Sequence, residues 1–195
     1  MVYCQSMADH CQQLYRLVKK IDPRDRKHVL AILKTEDERI RTAAGGLYKH
    51  QNWKGGYIDH VVETMSVACL LYKVLNSQRR LPFTLSDALY VLFLHDLEKI
   101  YKITIDKWGR PIRSDLATNP KYRSASTIVK RLKVPLTKDQ LNALTYVEGE
   151  NKDYHPTKRI MNPLAALVHC CDTVSARIWF NEPQKSGLIR CMTKQ

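Results

Sequence analysis

Two aspartates in this chain stand where carboxylates are costly. Asp96 follows His95 at the end of a nearly unbroken apolar run, Ala88-Leu-Tyr-Val-Leu-Phe-Leu94. Asp172 lies inside a second run, Pro163-Leu-Ala-Ala-Leu-Val-His-Cys-Cys-Asp172. Carboxylates are almost never fully buried without a partner. An ionised one left unpaired in the interior costs several kcal/mol even after relaxation. A divalent cation between the two would offset that cost, and neutral imidazoles would complete an N/O ligand set. His95 is the nearest imidazole in sequence, and His60 stands in another apolar helical segment after Gly55-Gly56. The competing arrangement pairs Asp96 and Asp172 with Lys or Arg and leaves His95 and His169 as satisfied core histidines.

The elements that must position these groups read as helices by apolar spacing. The first runs from about Ser6 to Ile21, with Leu14, Leu17 and Val18 on one face. Asp22-Pro23 breaks the pattern and restarts it, since Pro suits a first helical turn. A third helix over Glu36–Ala44 is expected to end at Gly45-Gly46. The longest spans about Tyr57–Asn76, and its apolar positions nearly encircle it, as in a central helix. Leu85–Glu98 follows, with Thr84 or Ser86 as N-cap. Near residues 101–119 the pattern changes. Ile103-Thr-Ile-Asp-Lys-Trp-Gly-Arg-Pro-Ile112 alternates around a Gly turn, which predicts a small hairpin or an irregular loop. Helices resume at about Tyr122–Leu132, Thr137–Val147 and Pro163–Phe180. The expectation is an all-α bundle with one small insert. It is read as a single domain over 1–195, with a core of about 50–180 and the helices of 1–49 packed on it.

Three ordered segments give this reading a family likeness. They are Gly55-Gly-Tyr-Ile-Asp-His60, Leu94-His-Asp-Leu-Glu-Lys99 and Pro163 through Arg177. Together they resemble the HD-domain metal-dependent phosphohydrolase superfamily, in which a His, a His-Asp pair and a distant Asp meet inside a helical bundle. The resemblance covers roughly residues 50–180. It implies His60, His95, Asp96 and Asp172 as ligands of one divalent ion: manganese, iron, cobalt, nickel, zinc or magnesium. It also implies the chemistry: a polarised phosphoryl oxygen and an acidified water. Asp96 would orient or deprotonate that water, and Lys99 would neutralise charge on the phosphoryl group. Lys99 also reads as a solvated lysine at a helix end. Glu98 departs from the family, where Gly is common. It either positions the water or pairs with Lys99 or Lys102. Glu148 and His155 are candidate substrate contacts or ligands of a second ion. Arg177 is a candidate for substrate phosphate or for a structural salt bridge. Trp53 reads as a packing residue more than as a base contact. His169 and Asp172, three apart, can share a helix side.

Composition bounds the function class. The chain has 195 residues, a hydrophobic fraction of 44% and a charged fraction of 26%, ordinary for a globular protein. Lys and Arg number 32 against 19 Asp and Glu, a net charge of +13 spread along the chain, which points to a polyanionic partner. No C-x-x-C pair occurs among the six cysteines, so a zinc knuckle or thioredoxin-type site is not indicated. Reduced cysteines, no apolar signal segment and no membrane-length run lead to an expected cytoplasmic location without membrane association. No Gly-rich phosphate loop occurs, which argues against P-loop chemistry. The first expectation is a phosphohydrolase acting on a nucleotide or other phosphorylated substrate. An alternative is an exonuclease or phosphodiesterase on single-stranded RNA or DNA, because the first-ligand segment is similar to the HD part of some bacterial exoribonucleases. A second is a non-catalytic nucleotide- or nucleic-acid-binding module. Oligomeric state stays open.

Overall fold

The computed structural model describes residues 2–48 and 50–179, with the backbone alone for residues 2–9. Among these residues the chain is all-α apart from one two-stranded hairpin. α1 (Val2–Val18) buries Leu14, Leu17 and Val18 as the spacing predicts. It ends earlier than expected, in a tight turn where the Ile21 N–H donates to Val18 O. α2 (Pro23–Thr35) starts at Pro23, capped by Asp22, whose carboxylate accepts from the Arg24 N–H. α3 (Asp37–Thr42) stops at an extended Ala43, before the Gly pair that was expected to end it.

α4 (Gly56–Gln78) is the central helix, and every residue from Gly56 to Ala68 is buried. It packs against α1, α5 (Leu85–Leu94) and α9 (Pro163–Val174). α5 is buried throughout from Ala88 to Leu94 and opens on a capping box between Thr84 and Asp87. The helix expected to run on to Glu98 instead ends at Leu94. His95 caps it, and a separate short α6 (Lys99–Lys102) follows. The His-Asp pair therefore lies in the turn at the carbonyl end of α5, where partial negative charge favours a cation.

The insert is a hairpin. β1 (Ile103–Ile105) pairs antiparallel with β2 (Pro111–Arg113), with Ile103 opposite Arg113 and Ile105 opposite Pro111. α7 (Ala125–Arg131) and α8 (Lys138–Thr145) follow, and α8 packs on α5 and α9. α9 passes into a π-helical turn, Ser175–Trp179, directly after the Asp172 segment. The expected end of this helix at Phe180 lies outside the described residues. No described helix is long and apolar enough to cross a membrane.

Candidate metal centre

Helices α4 and α9 and the turn after α5 bring all four predicted ligands to one point. His60 Nε2 lies 3.1 Å from His95 Nε2, 3.2 Å from Asp96 Oδ2 and 3.1 Å from Asp172 Oδ1. His95 Nε2 lies 3.4 Å from Asp96 Oδ2 and 3.5 Å from Asp172 Oδ1. His60, His95 and Asp96 are buried, and Asp172 is partly buried.

Hydrogen bonds behind the rings decide which nitrogen faces the cluster. His95 Nδ1–H donates to Leu92 O at 2.6 Å, which leaves Nε2 as the free nitrogen. On the other side the Ser175 hydroxyl donates to Glu63 Oε2 at 2.7 Å. Its oxygen is then an acceptor for His60 Nδ1–H at 3.0 Å, so His60 also turns Nε2 inward. Gln51 Nε2 donates to the same Glu63 oxygen at 2.7 Å and braces it. With both rings neutral their inward lone pairs would face each other, so either a second proton on His95 or a cation must lie between them. Beside carboxylate oxygens this is a set that a cation can satisfy, and such outer hydrogen bonds hold ligand histidines in place. Asp96 Oδ2 is buried and is shared between the His60 and His95 rings and the Lys99 ammonium, with which it ion-pairs.

The electrostatics agree. Burial opposes a charge on His95, yet Asp96 and Asp172 outweigh it and raise the ring to about 9. Burial would raise Asp172, but the His60 and His95 rings against it hold it well below the usual carboxylate range. Asp96 is lowered despite burial, mainly by Lys99 and then by His95 and His60. Lys99 stays charged because Asp96 overcomes the penalty of its burial.

Sequence reasoning missed a fifth member. His50 stacks at 4.9 Å and a tilt of 36° on His60, and its Nε2 lies 3.4 Å from Lys99 Nζ. His50, His60 and Asp96 form a second group of potential ligands beside the first, His60, His95 and Asp172. Burial, the Lys99 charge and His60 lower His50 to about 4, so its ring is neutral. It sits on a loop with no periodicity to announce it. Glycine was the available signal. The Gly45 N–H donates to Gln51 O, and a Cβ on Gly56 would lie 2.0 Å from that carbonyl oxygen. The glycines let the His50-Gln51 segment close over the start of α4.

The other candidates separate. Lys99 ion-pairs Asp96 and is 19% exposed in its side chain, so it borders the cluster and is no solvated helix-end lysine. Glu98 makes no ion pair with Lys99 or Lys102. Its Oε2 is buried and unpartnered, and burial and the nearby Asp96 push it up to about 7. The Tyr57 hydroxyl is likewise buried without a partner. Glu148 and His155 are exposed and join neither ligand group among the described residues, so the extra histidine comes from before the first ligand and not from that interval. His155 accepts from the Thr157 N–H instead. His169 turns away, donating through Nδ1 to Val147 O at 2.7 Å. Arg177 is exposed on the π-turn and makes no ion pair among the described residues, so the salt-bridge role is not seen. Trp53 donates to Asp59 Oδ2 at 2.7 Å, a structural bond.

Comparison with family models, curated proteins and solved structures gives no match. The family likeness therefore rests on the sequence motifs, and the structure adds a helical fold with a His/Asp cluster that could bind a metal.

Proposed function

We propose that this chain is an HD-type, metal-dependent phosphohydrolase that cleaves a phosphate ester of a nucleotide. One observation carries the reading: two imidazole Nε2 atoms and two carboxylates meet inside a helical core, with a lysine at their edge. His60, His95, Asp96 and Asp172 would hold a divalent ion, and His50 stands ready as an additional donor. When bound, the ion supplies Lewis acidity toward a phosphoryl oxygen and acidifies a water. Asp96, whose Oδ2 faces the imidazoles and Lys99, would hold the ion and orient that water. Lys99 is the cation an entering phosphate meets, and its charge is fixed by Asp96. The unpartnered Glu98 oxygen gives a further polar group beside Asp96.

The test is a panel of mono-, tri- and cyclic nucleotides, each incubated with the protein and one metal at a time, with products resolved by chromatography. Manganese-, iron- or cobalt-dependent turnover is expected. H95A and D96A should abolish it, and K99A should lower kcat by about 100-fold or more, as for loss of one preorganised charge. Metal binding without turnover of any nucleotide or oligonucleotide would replace this reading with a binding module. The surplus of Lys and Arg favours a second reading, cleavage of single-stranded RNA or DNA, and the same panel tests it with short oligonucleotides.

A further inference from the structure

The basic surplus is not evenly distributed. Between residues 99 and 133 there are ten Lys or Arg and two Asp, a surplus of eight in a chain whose total is +13. This stretch is α6, the hairpin and α7, and it begins at Lys99 on the metal cluster.

Its hairpin is built to present one side chain. Asp106 accepts from the Trp108 N–H at 2.9 Å and from the Arg110 N–H at 2.8 Å, and Gly109 takes φ +82° to close the turn. Trp108 stands at the tip, 66% exposed. The core has no use for it there, and an exposed indole on an ordered tip is the kind of feature that binding explains. Lys107 Nζ and the Arg110 guanidinium lie 4.4 and 4.8 Å from its ring centre, and Arg110 Nε also ion-pairs Asp106 Oδ2 at 3.0 Å, which leaves its two terminal nitrogens for a phosphate.

At the base of the hairpin the aromatic rings are packed inward, with Tyr101 buried and Tyr122 half-buried. Tyr101 stacks on Tyr122 at 4.4 Å, and Arg131 lies over both rings. Arg39 lies over Tyr101 from the α3 side. A groove of about 660 Å³ runs between α3 and the hairpin, lined by Arg39, Tyr101, Thr104 and Arg113, with Glu38 and Asp115 as its acidic members. None of the five cluster residues lines it.

We infer that this hairpin surface binds single-stranded nucleic acid, with a base stacked on Trp108 and backbone phosphates on Lys107, Arg110 and Arg113. Stacking on an aromatic side chain beside a positive track is how proteins hold single strands without reading sequence. A duplex keeps its bases stacked inside and offers Trp108 no free face. An acidic peptide would meet the charges but not need the indole, whereas an anionic membrane interface uses both, so vesicle binding is the outcome that decides against a nucleic acid. The inference goes beyond the phosphohydrolase reading and does not depend on the metal.

Fluorescence anisotropy tests it with a labelled single-stranded 20-mer, the matching duplex, polyglutamate and vesicles containing anionic lipid, all in EDTA. The single strand should bind tightest. W108A should weaken it about tenfold or more while leaving polyglutamate binding unchanged, and vesicles that bind the wild type more tightly than the single strand does would overturn the inference. K107A/R113A should flatten the dependence of log K on log salt by about 0.7 per lost phosphate contact. Circular dichroism and Tm of both variants check that the fold is kept. Equal binding of single strand, duplex and polyglutamate, or a W108A variant that binds like the wild type, would overturn the inference. Because EDTA is present throughout, an inert metal centre does not alter the readout. Conversely, W108A should hydrolyse a mononucleotide at the wild-type rate.

Discussion

Among single residues, Ser175 governs the site without belonging to the ligand set. Its hydroxyl is committed to Glu63, so its oxygen must accept from His60. Ser175→Ala removes that acceptor and frees the ring to turn or change tautomer. The expected loss of metal affinity is about 10- to 100-fold, as for other outer-shell partners of ligand histidines. Competition with a chromophoric chelator measures it, and an unchanged affinity would mean that the Glu63-Ser175-His60 chain is only packing. Protons compete with the metal at the same point. His95 in the metal-free protein holds a proton up to about pH 9, because Asp96 and Asp172 overcome its burial. An ion must displace that proton, so apparent affinity should fall about tenfold per pH unit below that value and level off above it. A flat titration between about pH 7 and pH 9 would contradict a His95 ligand. The meeting of His60, His95, Asp96 and Asp172 was legible in the sequence, from acids and imidazoles conspicuous in apolar runs and from the three family-like segments. His50, Gln51, Glu63 and Ser175 were not, since their roles depend on where a loop closes and how one hydroxyl is shared.

Among the elements, the clamp before α4 and the caps decide whether the ligands are held. A methyl group at Gly56 would stand 2.0 Å from Gln51 O, with backbone and not a flexible side-chain tip in the way. Gly56→Ala should therefore push the His50-Gln51 segment off α4. Overpacking of this kind costs about 1–3 kcal/mol, and loss of Gln51 also unbraces Glu63. Denaturant unfolding should show the drop in stability, and metal affinity should fall with it. Thr84→Ala tests a different contribution, since Thr84 caps α5 and Asp87 answers it across the capping box. About 1 kcal/mol of stability should be lost while the metal affinity stays unchanged, because the cap is at the end of α5 away from His95. Helix positions and the hairpin followed from apolar period and turn residues. The break after Leu94 did not, because Leu97 and Ile100 are buried too and continue the apolar run through the turn. Gly45 was misread as a helix stop because glycine serves both chain reversal and close approach, and spacing does not separate the two.

For the whole molecule, the question is what balances two carboxylates in the core. Without an ion the balance comes from the Lys99 ammonium and a proton on His95. With an ion it comes from the metal, and binding to the folded state alone then adds stability by mass action. At a metal concentration 100 times Kd the gain is about 2.7 kcal/mol. For a chain of this size each kcal/mol moves Tm by about 2–4 °C, so manganese or another fitting ion should raise Tm by about 5–10 °C and EDTA should reverse it. Asp172→Asn separates the two ways of balancing the charge. In the metal-free protein it removes a carboxylate that His95 pairs with and should lower Tm, because breaking a buried pair strands the remaining charge. In the presence of metal it also removes a ligand and should cancel the rise in Tm. A core balanced internally by Lys99 and His95 alone predicts a different pattern. Wild type would then show no shift with any divalent ion, and Asp172→Asn would lower Tm equally with and without one.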